Sequence, residues 1–590
     1  MKQIAYTGGQ AADTRFHDGA LPLMAGACHI QVMRANREHP ELSQGTDFTY
    51  NHAPMLCRWR GWFYLMYLSG PVHEHAGCAR AMLTRSRNGF DWETPRLAFP
   101  DIAVPPGVYR GKGAQQLAPG ARTIVHHRMG FYTAPNGVLL MMTHHGVTPD
   151  IHILPNSGYG MGRVVRRIHE DGSLGAIHVL RVNTQAGWTA AHFPYPWFEE
   201  SGDKAFVEAC RAVLCDPLAN GAWWEEERLD EAFFPLKQMR APSFCPLPDG
   251  VTAAIGKMGL SAISADGGKS WSEPQTAPGI ITSGGKCMIT RTGDGRFAIL
   301  YNPSPDGQHR WPLAAITSGD GYTYRDMCCA CGEVPPIRYG GYLKSIGINY
   351  IRGIMPGNDD APDGYTYAVY SMNKEDIWFM RIPRAIRTEE TAPVHDDFSR
   401  MAGRVPEDWH IYSPCWARVA LEDGCLVLHD SEPYDYAKAV RLFPRTERAA
   451  IRLTLTAQGI QNGMLQLDAA DRRGLTAMHL TLCPDGMLRL RGGNGEIVAG
   501  RFDEGRSLDL TLGLDCRAQQ VTVLAGDQPP QAMRFMNPVL SVERLILRTG
   551  PVRLAPTPED AFKDVLLPDL PGAGERLAEA VYRIAAVDIE

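Results

Sequence analysis

The feature that most constrains this chain is a repeat in its first 385 residues: a polar residue, a short apolar strand, a glycine turn and a second apolar strand. The stretches NHAPMLCRWRGWFYLMY, HRMGFYTAPNGVLLMMT, QMRAPSFCPLPDGVTAAI and KCMITRTGDGRFAIL share this layout, with turn glycines Gly61, Gly137, Gly250 and Gly295, and PDGYTYAVYS adds Gly364. The gaps are 76, 113, 45 and 69 residues, so about six units are expected if the longest gap hides one. A seventh could be assembled from the N-terminal segment. Units of roughly 40–55 residues, each of four strands, are what a β-propeller requires. The 60 glycines and 43 prolines among 590 residues agree with a chain of many tight turns.

A second repeat follows the second strand of three units. It reads Ser86-Arg-Asn88-Gly89-Phe-Asp-Trp92, Ser264-Ala-Asp266-Gly267-Gly-Lys-Ser-Trp271 and Ser318-Gly-Asp320-Gly321-Tyr-Thr-Tyr324. Physically this is a hairpin in which Asp or Asn accepts backbone N–H bonds, glycine supplies positive φ and the aromatic ring packs the turn onto the sheet. The pattern resembles the Asp-box of the sialidase-like propeller superfamily. With glycine turns joining strands one and two, and these boxes joining strands three and four, both sit on one face of the ring. The opposite face receives the start of each innermost strand and the loops between strands two and three.

From about Asp396 the pattern changes to alternating strands without such boxes, as in AAIRLTLTAQ and LTAMHLTLCPDGMLRLRGG. That alternation reads as an antiparallel sandwich and is similar to the concanavalin-like modules attached to carbohydrate-active enzymes. The expected fold class is all-β: a six- or seven-bladed propeller over residues 1–390, then a sandwich over 391–590. The one long helix falls at 202–214, as an insertion in the ring.

No run approaches the ~18 apolar residues of a membrane helix, and the N-terminus lacks an apolar signal stretch. With 59 Lys and Arg against 65 Asp and Glu, the net charge of −6 gives no general attraction to nucleic acid or anionic membrane. The 14 cysteines are scattered, and Cys328, Cys329 and Cys331 lack the paired spacing of a zinc site. They read as reduced thiols of a cytoplasmic protein; the alternative is a periplasmic or secreted chain whose signal has been removed. Oligomeric state is not set by the sequence.

Aligning the repeats places His52, His127, Arg240 and Lys286 at the channel mouth, with Tyr350 and Arg352 in the last unit. The loops between strands two and three add His73, Glu74 and His75; His144 and His145; Asn302, His309 and Arg310; and Lys374 and Glu375. Between blades, GVYRGKGAQQ adds Tyr109, Arg110 and Lys112. A lone His or Arg is more often structural, but cationic and imidazole groups at equivalent positions are mutually destabilising unless an anion binds. The expected partner is an anionic oligosaccharide or polysaccharide. The histidine pairs lack a metal-ligand spacing such as HExxH. No cofactor is required, and a structural calcium held by backbone carbonyls would leave no mark in the sequence.

Two stretches, YNHAPMLCRWRGWFYLMYLSGPVHEHA and VYSMNKEDIWFMRIP, resemble propeller polysaccharide lyases acting on uronate glycans, including ulvan lyases and rhamnosyl-glucuronate lyases. The resemblance implies β-elimination by a His, a Tyr and a charge-neutralising Arg, matched here by His52, His73 or His75, Tyr109, and Arg110 or Arg128. Hydrolysis needs paired carboxylates at a defined separation, and Glu74, Asp306, Glu375 and Asp376 do not repeat in register. The expected function is therefore a uronate lyase with His52 as leading acid/base. The alternatives are a hydrolase of the same substrates using His52 or Glu375, and a non-catalytic glycan-binding propeller.

Overall fold

The computed structural model describes residues 2–590 except 106–107, 110–114, 118, 149–153, 156–159, 226–233, 237, 283, 355–362 and 563–566, with backbone only at 108–109, 115–116, 126–128 and 561–562. Strand formation follows the glycine-turn repeat. Tyr50–Trp59, Trp62–Gly70, Arg80–Ser86 and Arg96–Phe99 form blade 1, and Ile124–Thr133, Leu139–Gly146, Gly162–Ile168 and His178–Val182 form blade 2. Blade 3 is Ser243–Pro246, Thr252–Ile255, Leu260–Ser264 and Gln275–Thr276; blade 4 is Met288–Arg291, Phe297–Tyr301, Leu313–Ser318 and Thr323–Cys331. Gly61, Gly137, Gly250, Gly295 and Gly364 each stand at positive φ between the first two strands of a blade, as the repeat predicts.

The blade count departs from expectation. A fifth sheet, Ile348–Gly353, Thr366–Met372 and Asp376–Ile382, is completed by the N-terminal strand Cys28–Met33, which pairs antiparallel with Asp376–Ile382. Ala5–Tyr6 adds a parallel edge to blade 4. Among the described residues five sheets surround the channel, not six or seven. Two physical reasons account for the difference. The N-terminal segment donates strands to existing blades, and the 113-residue gap holds the outer half of blade 2 and a helical insertion. That helix, Lys204–Cys215, is capped by Asp203 and buries Phe206, Val207, Cys210 and Val213 against Tyr132, Leu140 and Met142 of blade 2.

The three Ser-Asp/Asn-Gly-aromatic hairpins adopt the hydrogen bonding their sequences imply. Asn88 Oδ1 accepts from the amides of Phe90 and Asp91 at 2.9 Å each. Asp320 Oδ1 accepts from Tyr322 and Thr323 at 2.8 Å each, and Asp266 Oδ1 accepts from Ser270 at 2.8 Å. Trp92 and Trp271 close their turns by donating Nε1–H to the carbonyls of Gly89 and Gly268.

The sandwich begins with Val394–Asp397, which pairs with the last strand, Ala580–Ile589. One sheet runs Trp409–Ser413, Lys438–Thr446, Val542–Arg548, Leu465–Ala470, Thr476–Leu482, Met487–Gly492, Gly495–Arg501; the other is centred on Ala580–Ile589 and Arg448–Gln458. The period-two pattern explains the core: Ala449, Ile451, Leu453, Leu455 and Ala457 are buried while their alternates face outward. Trp409–Ser413 also pairs in parallel with Cys28–Met33, so blade 5 and the first sandwich sheet are one continuous eleven-stranded sheet. Arg34, just past the shared strand, donates Nε and Nη2 to the two carboxylate oxygens of Glu432 at 2.7 Å each and lies 3.7 Å over Trp416.

Candidate active site

The innermost strands of the five blades leave a channel lined by Ala53, Met129, Pro242, Lys286 and Arg352 that encloses about 80 Å³. That holds a few waters and no sugar ring. Chemistry therefore belongs to the mouth, on the face opposite the glycine turns.

At the mouth the strands bulge. Blade 1 slips register between His52 and Met55, with Ala53 at φ 50°, and blade 5 slips between Asn349 and Arg352, with Tyr350 at φ 57°. Non-glycine residues at positive φ are costly, and such strain concentrates where side chains must be aimed. Here the two bulges bring the His52 and Tyr350 rings to 4.3 Å between centroids. His52 Nδ1 lies 2.8 Å from Ser371 Oγ, which fixes the ring's orientation.

Cations surround this pair. Lys257 donates to Tyr350 Oη at 2.5 Å, and Lys286 Nζ stands 4.3 Å from the Tyr350 ring centroid. Lys374 donates to Glu74 Oε2 at 2.7 Å and to the Leu343 carbonyl at 2.6 Å. Arg310 is buried and makes no side-chain hydrogen bond or ion pair among the described residues. A Cβ on Gly284 or Gly285 would come within 3.0–3.2 Å of its guanidinium, so the two glycines leave it room.

The electrostatics follow from this geometry. Burial, then the charges of Lys374, Lys286, Lys257 and Arg310, hold His52 well below the usual imidazole range, so it is neutral. Burial raises the Tyr350 phenol and Glu74 does so too, but Lys257, Lys374 and Arg310 outweigh them and leave it below its ordinary value. Glu74 is held at about 2 despite burial, by Lys374 and His75, and is ionised.

Of the residues expected at the mouth, His52, Lys286, Arg310, Tyr350 and Lys374 converge, with His75 close enough to stabilise the Glu74 charge. Others serve the scaffold. Arg240 is exposed at the entry to blade 3. Arg352 donates to the carbonyls of Cys287 and Ala241, and Asn302 to those of Arg310 and Pro312. Glu375 accepts from the amides of Arg338 and Tyr339 at 3.0 Å each and has no role at the mouth, because positive φ at Asn373 and Lys374 turns the two neighbours to opposite sides. His73 accepts from the Tyr342 amide at 2.8 Å. His144 is buried in blade 2; burial lowers His145, which bonds Thr123, to about 4. His309, tilted against Trp311 with ring centroids 3.8 Å apart, is likewise lowered to about 4, chiefly by burial. Arg110 and Lys112, and the side chains of Tyr109, His127 and Arg128, lie outside the described residues.

Lys257 was not expected, although the rule that found the others applies to it. It sits in the loop between strands two and three of blade 3, within Gly256-Lys257-Met258-Gly259, the position that holds Glu74 and Lys374 in blades 1 and 5. Among the described residues no group of three His, Cys, Asp or Glu side chains could hold a metal ion, and no helix is long and apolar enough to cross a membrane.

Fold and mouth together define a β-propeller with an attached β-sandwich and a cation-ringed tyrosine and histidine at the channel entrance. Residues 2–240 match the family described as BT_1020-like, N-terminal beta propeller, and residues 409–563 match Sialidase-like, CBM domain. The chain thus carries one segment similar to that propeller family and one similar to the sialidase-like carbohydrate-binding-module family. A solved structure of a sialidase is 38% identical with a TM-score of 0.95, over 100% of this chain and 54% of that one. The chain therefore spans about half the length of that relative. More distant are a Trypanosoma rangeli sialidase in complex with sialic acid, 10% identical over 96% of each chain with a TM-score of 0.33, and a Bombyx mori GH32 beta-fructofuranosidase, 11% identical over 94% of each with 0.30. No curated protein matches the chain.

Proposed function

We propose that the chain is a glycosidase that hydrolyses the bond of a carboxylate-bearing sugar at the channel mouth, with Tyr350 as nucleophile. One observation carries this reading: Lys257, Lys286, Arg310 and Lys374 converge on Tyr350 and His52, with Glu74 the ionised acid facing them. So much buried positive charge is offset by an anionic ligand. Arg310, with its guanidinium unclaimed by described side chains, is the seat for the carboxylate. Tyr350, lowered by Lys257, is the group best able to attack the anomeric carbon; a Tyr nucleophile is the documented exception to paired carboxylates in sialidases. In this scheme neutral His52 takes the Tyr350 proton, Oη forms a bond to the anomeric carbon as the glycosidic bond breaks, and the leaving oxygen receives that proton; water then cleaves the glycosyl–tyrosine link, its hydroxyl going to the sugar and its proton back to Oη. The similarity of the whole chain to a sialidase supports this order of preference.

A second reading, β-elimination on a uronate, draws on the neutral His52 beside Tyr350: one group would take the C5 proton and the other protonate O4, while the cations neutralise the carboxylate.

The test is a panel of sialosides, other ulosonates and uronate oligosaccharides, read by product mass together with ultraviolet absorbance. Hydrolysis adds water and gives no new absorbance; elimination gives an absorbing C4–C5 double bond without added water. Tyr350→Phe is expected to lower kcat/KM by about 10³-fold, the scale of losing a covalent step. Binding without turnover across the panel would replace both readings with a glycan-binding propeller.

A further inference from the structure

A second cavity lies away from the mouth. A cleft of 680 Å³ opens between the connection from blade 4 to blade 5, at Gly340, Gly341 and Lys344, and the sandwich, at Tyr434, Arg553 and Leu554. Its volume falls within the ~300–1,000 Å³ typical of small-molecule sites. Its polar atoms are unevenly satisfied. The acids are turned onto protein donors: Asp435 accepts from Arg553 Nη2 at 2.6 Å, the Tyr436 amide at 2.9 Å and Tyr412 Oη at 2.8 Å, and Asp560 accepts from the Thr557 amide at 2.8 Å. The cations keep donors to spare. Lys344 Nζ donates to the Tyr339 carbonyl at 2.7 Å and makes no ion pair among the described residues, although the side chain is buried. Arg553 Nη1 is buried without a hydrogen-bond partner, while the guanidinium lies 4.0 Å over Tyr436.

We propose that this cleft is a second binding site, separate from the mouth, for a carboxylate-bearing saccharide unit. A ligand that completes it must bring acceptors, because the spare groups are donors; a carboxylate would supply the ion-pair partner that Lys344 lacks among the described residues, while the charge of Arg553 is already offset by Asp435. Tyr434 offers a ring for the apolar face of a pyranose, and its hydroxyl is already committed to the Pro571 carbonyl. Tyr434, Arg553 and Leu554 on the sandwich side fall within the segment that matches the carbohydrate-binding-module family. Burial also pushes the Lys344 amine down to about 8, as expected of a cation awaiting a counter-charge. The choice of an acidic sugar rests on the reading of the mouth above, and the two sites share one segment: Gly340, Gly341 and Lys344 face the cleft, while the Leu343 carbonyl holds Lys374 of the mouth.

The experiment uses the full chain carrying Tyr350→Phe, titrated calorimetrically with N-acetylneuraminic acid and with galacturonic acid. Two sites per chain are expected for at least one probe. Lys344→Met should abolish one of them, and Lys286→Met should weaken the other. Leu554→Asp, at a rim position 85% exposed and so neutral to folding, should weaken the first site about fivefold or more by like-charge repulsion. If Lys344→Met fails to fold, the Leu554→Asp titration decides alone. A single site indifferent to both Lys344→Met and Leu554→Asp, or no binding of either probe, overturns the proposal. A single site lost with Lys344→Met and untouched by Lys286→Met sustains the cleft and instead overturns the mouth.

Discussion

Tyr350 and Lys257 form the pair whose chemistry is easiest to read out. The Lys257 ammonium 2.5 Å from Tyr350 Oη stabilises the phenolate over the phenol, so removing it raises the pKa of the tyrosine. If the phenolate is the reacting form, rate is lost as pH falls through that pKa. Lys257→Met is therefore expected to move the acidic limb of the kcat/KM profile to higher pH, toward the ordinary tyrosine value. Lys257→Arg should restore most of the original position, because it keeps the charge. Ser371→Ala removes the group that orients His52 through Nδ1 and should lower kcat about tenfold with little change in KM. Six residues of this cluster, Glu74 among them, were legible in the sequence, because repeat register assigns a mouth position without knowledge of any contact. Glu375 misled because sequence adjacency to Lys374 says nothing about which way a side chain leaves a tight hairpin. Lys257 was missed although it obeys the register rule.

Elements were easier to foresee than their number. A glycine between two apolar runs is a local signal, and so is a Ser-Asp-Gly-aromatic hairpin, and both turned out where they were expected. The hairpin holding Thr323–Cys331 tests the second signal. Asp320→Ala removes the acceptor of two backbone amides and should cost about 1–3 kcal/mol. The apparent Tm should drop by several degrees, while kcat/KM at 25 °C stays unchanged because the turn lies on the face away from the mouth. Blade count was not legible for a different reason. A gap of 113 residues is equally consistent with a degenerate blade and with an insertion, and only packing of Phe206, Cys210 and Val213 against blade 2 distinguishes them. Strand pairing between Cys28–Met33 and Asp376–Ile382 joins segments with no local sequence relation.

At the scale of the molecule, the two halves are joined through buried charge as well as through shared strands. Arg34 and Glu432 are each about 2% exposed or less in their side chains, so deleting one leaves the other charged and unpaired. Arg34→Met is expected to destabilise the chain by about 3–5 kcal/mol, whereas Arg34→Met with Glu432→Leu should recover most of the lost Tm. Differential scanning calorimetry of the two variants beside the unaltered chain checks the pair; equal melting of the single and double variants would refute it. The sheet shared by blade 5 and the sandwich has a further consequence, for the order of events in synthesis. The strand Cys28–Met33 leaves the ribosome early, yet its two neighbours, Asp376–Ile382 and Trp409–Ser413, follow roughly 350 residues and more later. Until then its edges must stay unpaired, so the ring cannot close blade by blade as it emerges and completes itself only when the first residues of the sandwich are available.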